Sequence, residues 1–176
     1  MNDRAAGDRV EGPPQASVSD LSAASVVLLR HGEAVSGAVD SQRPLSERGR
    51  RETERIAGWA AAAGLQVEEI RHSGKRRAAE TAEIMAEALL PSGGVSAVEG
   101  LRPDDDVDPL VQDLARLDRP IMFVGHLPFL GRLAARLLRE GAAPPRDLFP
   151  PSGLVVIARG GNRWTLLAAV SPSDVD

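Results

Sequence analysis

The chain has 176 residues, with 21 basic and 25 acidic side chains for a formal charge of −4, and 43% of its residues are apolar. That length fits one domain burying about two-thirds of the surface its unfolded chain exposes, and the acidic balance weighs against a general nucleic-acid binder, whose affinity rests on surplus lysine and arginine. Cysteine is absent, which removes thiol nucleophiles, zinc–thiolate sites and disulfides, and no uncharged apolar run approaches the roughly 18 residues of a membrane span.

Residues 1–22 are polar, small and punctuated by proline and glycine, without sustained periodicity. They are expected to form a disordered leader ahead of a domain over residues 23–170, with a short tail over 171–176. The leader has no apolar signal-like stretch, so a cytoplasmic protein is expected. The first structural signal is Val26-Val27-Leu28-Leu29, whose lack of alternation suits a strand buried on both faces. Ser46 then reads as the N-cap of a helix carrying Ile56, Trp59, Ala60 and Ala63 on its apolar face, with Gly64 as its stop. A weaker strand signal near Val67 to Ile70 precedes a helix from about Arg76 to Leu90, ended by Pro91. Val95 to Val98 gives another short strand. Asp108 and Pro109 read as N-cap and first residue of a third helix, with Leu110, Leu114 and Leu117 along one side.

The strand Ile121-Met122-Phe123-Val124 runs into a helix carrying Phe129, Leu130, Leu133, Leu137 and Leu138. Leu154-Val155-Val156-Ile157 and a last edge strand over Trp164 to Ala168 pair as a hairpin across Gly160-Gly161-Asn162. Strands alternating with helices predict a three-layer α/β/α sandwich around a mostly parallel sheet. Such sheets bind ligands at the carboxyl edge of their strands, and the unusual residues fall there.

The first strand ends in Arg30-His31-Gly32-Glu33, and the strand Ile121 to Val124 ends in Gly125-His126-Leu127-Pro128. Two of the three histidines therefore close buried strands, each beside a glycine that lets backbone approach a ligand. The helix start behind His126 offers free N–H groups to an anion. The alternating charges Glu47, Arg48, Arg50, Arg51, Glu52, Glu54 and Arg55 read as a solvated helix face.

These motifs resemble the histidine phosphatase superfamily, with its phosphoglycerate-mutase-like fold, and within it the small phosphohistidine phosphatases of the SixA type. The resemblance is carried by Leu29-Arg30-His31-Gly32-Glu33-Ala34, by Asp40-Ser41-Gln42-Arg43-Pro44-Leu45-Ser46-Glu47-Arg48-Gly49, by Ser73 followed by Arg77-Ala78-Ala79-Glu80-Thr81, and by Gly125-His126-Leu127-Pro128. It spans roughly Val26 to Ala168. It implies that His31 is a nucleophile that becomes phosphorylated, that Arg30, Arg77 and His126 complete the catalytic group, and that Arg30, Gly32, Arg43, Arg77 and His126 bind phosphate. Neutral imidazole has a free lone pair near pH 7, and nearby cations are expected to depress its pKa further. Arginine binds phosphate oxygens in a bidentate fork.

The chain departs from the resemblance at His72-Ser73-Gly74-Lys75-Arg76-Arg77, where relatives commonly have Ser-Pro or Ser-Ser before the pocket arginine. Spacing to Ala78, Glu80 and Thr81 favours Arg77 over Arg76. Glu99 and Asp104-Asp105-Asp106 lie in the stretch where a general acid for an ester leaving group would sit, but a solvated loop explains them as well. Phosphohistidine needs such an acid less, because imidazole is a far weaker base than an alkoxide. The expected activity is metal-independent hydrolysis of phosphohistidine, without a cofactor, on a phosphohistidine-bearing protein or a small phosphorylated molecule. Two alternatives stand beside it: a phosphatase of the same fold acting on a small phosphate ester or sugar phosphate, and a catalytically silent phosphate-binding domain.

Overall fold

Alternation inside the short apolar strands decides how the domain is layered. The structure, a computed structural model, describes residues 24–138 and 148–175. The expected leader and Asp176 lie outside the described residues. Strand β1 (Ser25–Arg30) sends Val27 and Leu29 to one face of the sheet and Val26 and Leu28 to the other, all fully buried. Strand β4 (Ile121–Gly125) divides Met122 and Val124 from Ile121 and Phe123 in the same way, and β5 (Leu154–Gly160) divides Leu154 and Val156 from Val155 and Ile157. A period of two with apolar residues at both phases makes a central strand covered twice.

Each face has its own pair of helices. Against Val27, Leu29, Met122 and Val124 pack α1 (Glu47–Ala62), through Ile56, Ala57 and Ala60, and α2 (Arg76–Leu89), through Ala78, Ala82 and Met85. Against the other face pack α3 (Asp108–Leu114), through Leu114, and α4 (Phe129–Leu138), through Phe129, Leu130, Leu133 and Leu137. Burying one such side chain contributes about 1.5–3 kcal/mol, so the two layers together hold the sheet firmly. The remaining strands are β2 (Glu69–His72), β3 (Val95–Ala97) and β6 (Arg163–Val170).

The sheet order is β3-β2-β4-β1-β5-β6. The first four strands are parallel, and β5 and β6 add antiparallel pairings at one side, so the sheet is mixed. The expected hairpin and edge strand are present, with a register shift near Val156 and Ile157. Ser46 caps α1 as its sequence position predicts, accepting the Gly49 N–H at 3.0 Å. The α3 start is corrected by one residue: Val107, not Asp108, is the N-cap. Val107 is buried in the core, and the Asp108 carboxylate pairs with Arg136 of α4 at 2.9 Å instead of capping its own helix. Past residue 170 the chain turns through Asp174 N–H to the Ser171 carbonyl, and Val175 joins the core beside α1. Among the described residues no helix is long and apolar enough to cross a membrane.

Candidate active site

Parallel pairing of β1 with β4 sets Arg30 level with Gly125, so His31 and His126 leave the sheet side by side at its carboxyl edge. The His31 N–H donates to the Gly125 carbonyl at 3.1 Å, extending the ladder by one rung. The two imidazole centroids lie 4.8 Å apart, tilted by 56°. His31 is half-buried and His126 buried.

The His31 ring is fixed through its Nδ1, which stands 2.7 Å from the Gly32 carbonyl oxygen. A carbonyl only accepts, so Nδ1 carries the proton and Nε2 keeps its lone pair. That lone pair accepts from Arg77 Nε at 3.1 Å. Burial pushes the His31 pKa down to about 4; the Gly32 bond opposes this, and Arg77, Arg30 and Arg43 act with burial. The sequence pointed to the cations as the cause. Desolvation is the larger one, because these arginines flank a ring that the sheet edge already withdraws from water.

His126 is held from the neighbouring parallel strand. Its Nε2 lies 2.6 Å from the hydroxyl of Ser73, a buried residue just past the end of β2. Burial first, and then His31, Arg77, Lys75 and Arg30, lower its pKa to about 3. Both rings are thus neutral at pH 7. Among the described residues, His126 Nδ1 and Arg30 Nε are buried without a hydrogen-bond partner. Arg30 directs Nη1 to the Phe149 carbonyl at 2.9 Å. Burial lowers the pKa values of Arg30 and Arg77 from very high starting points, and a guanidinium keeps its charge throughout.

Adjacent arginines have different destinations. Arg77 turns to His31, whereas Arg76 pairs with Glu80 at 3.0 Å and reaches Gln42 and Asp40. The spacing preference for Arg77 matches this geometry. Arg43 is exposed, has a left-handed backbone (φ 51°) and bonds weakly to the Val35 carbonyl at 3.4 Å. Its charge still acts on both His31 and Arg77. His72 ends β2 and accepts the Gly74 N–H at 3.2 Å, a contact within its own turn.

Gly32 is required by space. A Cβ there would stand 2.7 Å from the Thr53 hydroxyl and 2.9 Å from the Gly49 carbonyl. Its N–H donates to Thr81 Oγ1 at 3.1 Å, while Glu80 accepts the Leu45 N–H at 2.7 Å. Arg77, Glu80 and Thr81 lie on adjoining positions of one helical face. This face of α2 therefore presents the arginine and clamps the loop that carries His31. Sequence reasoning missed the Ser73 bond to His126, the Phe149 carbonyl under Arg30, and Ser152, whose hydroxyl meets Thr53 at 2.8 Å. The i, i+4 spacing of Arg77 and Thr81 was a usable signal; the segment around Phe149 and Ser152 had none.

Glu99 and Asp104 are exposed. Asp105 accepts the Arg102 N–H at 2.8 Å and Asp106 accepts the Asp108 N–H at 3.0 Å, both local turn bonds.

Paired histidines at adjacent strand ends, with Arg77 bonded to His31 Nε2 and the charges of Arg30 and Arg43 acting on the same ring, gather positive charge at the carboxyl edge of the sheet, an arrangement suited to an anion. The sequence model of the histidine phosphatase superfamily (branch 1) matches residues 26–102, the stretch that carries Arg30, His31 and Arg77. The chain is also 29% identical over 142 residues to the phosphohistidine phosphatase SixA of Escherichia coli (strain K12), a match covering 78% of this chain and 88% of that protein. A solved structure of the protein histidine phosphatase SixA complexed with tungstate superposes with a TM-score of 0.76 at 28% identity, over 85% of this chain and 98% of the other. A second structure bearing the SixA name, from Agrobacterium tumefaciens, gives 0.73 at 27% identity over 85% and 98%.

Proposed function

We propose that the domain expected over residues 23–170 hydrolyses phosphohistidine through a phospho-His31 intermediate. The observation that carries this reading is the unprotonated Nε2 of His31, held 3.1 Å from Arg77 Nε. Incoming phosphate offers better acceptors to Arg77 than a neutral nitrogen does, so substrate draws the guanidinium onto its oxygens and frees the lone pair. His31 Nε2 then forms a bond to phosphorus as the P–N bond of the substrate breaks, and the substrate ring, protonated on its other nitrogen, takes the electron pair and departs as neutral imidazole. Water attacks phospho-His31 in the second step, releasing orthophosphate and restoring Nε2. Arg30, Arg77, His126 and the more peripheral Arg43 stabilise the negative charge of the transferring group, with the close-approaching backbone of Gly32 beside them. No step calls on a metal or a cofactor.

The likeness to SixA supports phosphohistidine as the substrate class, and the tight local bonding of Asp105 and Asp106 supports it too, since it leaves an alkoxide leaving group poorly served. The substrate is then a protein bearing phosphohistidine, and cytoplasmic residence belongs to the same reading. The test is phosphate release from a histidine-phosphorylated phosphotransfer protein and from a panel of small phosphate esters, with wild type and His31→Ala. Release from the phosphoprotein by wild type alone is expected. Turnover of esters alone would replace the substrate, and silence on both would leave a phosphate-binding domain.

A further inference from the structure

The residue least at home in its local structure is Lys75. It is the N-cap of α2, a position that favours Ser, Thr, Asp or Asn because their side chains accept the helix's first N–H groups. Lys75 makes no such bond, and the first turn of α2 carries no acidic residue to offset it. A lysine there also adds positive charge at the positive end of the helix dipole. Local stability therefore selects against this residue.

No acidic side chain within the described chain pairs with its charge. Arg76, the next residue, is tied to Glu80, Gln42 and Asp40. Lys75 is exposed and, among the described residues, has no side-chain hydrogen bond or ion pair. Yet its place is fixed. Two residues before it, Ser73 bonds to His126; two residues after it, Arg77 bonds to His31. Gly74, with φ +78° and open space around it, makes the turn that separates Lys75 from the buried Ser73. Its charge is felt at His126 across the mouth of the site.

We propose that Lys75 is a specificity-determining residue that reads a carboxylate next to the phosphohistidine of the substrate protein. This rests on the phosphohistidine reading above. A phosphohistidine seated on His31 brings its neighbouring side chains over the rim, where an aspartate or glutamate meets the free ammonium. The arginines deeper in the site hold the phosphoryl oxygens and are not available for it.

The experiment uses synthetic peptides with one histidine, phosphorylated with phosphoramidate, identical except that the residues flanking it are glutamate or glutamine. The full chain is assayed as wild type, Lys75→Met and Lys75→Asp. Wild type is expected to favour the glutamate peptide in kcat/KM by about threefold to tenfold at low salt, chiefly through KM, and to lose that preference at high salt. Lys75→Met should bring the ratio of the two peptides towards one, and Lys75→Asp should invert it. Lys75→Asp should at the same time raise the melting temperature by supplying the missing cap, so lost preference cannot be assigned to misfolding. A peptide ratio that is the same in all three proteins overturns the inference while leaving the phosphohistidine reading intact. No turnover of either peptide by wild type, with turnover of phosphate esters, overturns both.

Discussion

Two loops leave carboxyl ends of parallel strands in this sheet, and they treat their polar groups in opposite ways. The loop after β1 hands its groups to other elements, Gly32 N–H to Thr81 and Leu45 N–H to Glu80, and packs its Glu33 backbone against Gly49 of α1. The loop after β3 turns its carboxylates on its own backbone, Asp105 on the Arg102 N–H and Asp106 on the Asp108 N–H, and meets α4 through main-chain carbonyls, Pro103 and Asp105 accepting from Arg132 at 3.0 and 2.8 Å. Cross-linking between elements fixes a side chain to within a fraction of an ångström, which chemistry requires. A carboxylate spent on its own turn is not aimed at a substrate, even where the backbone around it is anchored to α4. Four carboxylates in sequence look as reactive as two histidines, but only the histidines are built into the frame.

Removing the nucleophile breaks this contrast most deeply. His31→Ala should lower kcat for phosphohistidine hydrolysis to background, a loss on the order of 10⁴-fold or more. Retained activity in a steady-state phosphate-release assay would sink the covalent route. Arg77→Met should follow, with about 10²–10³-fold lost in kcat, as for deletion of one oxyanion-stabilising donor. Arg76→Met, one residue away, should cost far less, because that side chain serves Glu80 and Gln42. The pair sharpens the comparison within a single turn of helix.

The cross-linked loop is also predicted to be intolerant of volume. A Cβ on Gly49 would stand 2.0 Å from the Glu33 carbonyl oxygen, where only backbone displacement relieves the clash. Gly49→Ala should destabilise the fold by about 1–3 kcal/mol despite alanine's better helix propensity. In a chain of this size that shifts the melting temperature by roughly 2–4 °C per kcal/mol, readable by calorimetry. An unchanged melting temperature would mean that the loop is free to move off α1.

pH probes the same frame through its buried rings. Folding lowers His31 to about 4 and His126 to about 3, against an ordinary value near 6.5. Below pH 6.5 the unfolded chain takes up protons that the folded one refuses. Stability is therefore fully present above 6.5 and is lost as pH falls from there towards 4 and 3. Activity should stay level from pH 8 to about 5 and then drop as His31 protonates. Urea unfolding across pH 4–8 and the pH profile of kcat/KM check the two halves separately. A titration of activity centred near 6.5 would show that the rings remain solvated.

Much of this frame was legible in the sequence. Uninterrupted apolar runs at Val26, Ile121 and Leu154 announced strands buried on both faces, because they are rich in β-branched residues and too short for a buried helix. Ser46 announced α1 because its hydroxyl is the acceptor that the helix start lacks. The same reasoning missed at Asp108, where a partner on another helix, Arg136, claims the carboxylate. His31, Arg30 and His126 were visible as strand-end residues beside glycines. Ser73 was visible in its motif but not its bond to His126, and Phe149 and Ser152 were not visible, since these contacts come from long-range closure of the chain and Phe149 acts through its carbonyl, which has no side-chain signature.

The smallest expected effect falls on the self-bonded loop. If Glu99, Asp104, Asp105 and Asp106 only shape a turn, replacing all four by asparagine or glutamine should change kcat for phosphohistidine by less than about threefold, in keeping with surface substitutions generally. Asn can keep the Asp105 and Asp106 turn bonds through its amide oxygen, so the fold should survive the change. The charge difference tests the acid role and leaves the geometry in place. Imidazole leaves readily without a strong acid, so phosphohistidine turnover should be indifferent to these carboxylates, whereas hydrolysis of an alkyl phosphate by the same site would depend on one. A quadruple variant that loses phosphohistidine activity a hundredfold, with its melting temperature intact, would place an acid in that loop and dissolve the contrast between the two regions.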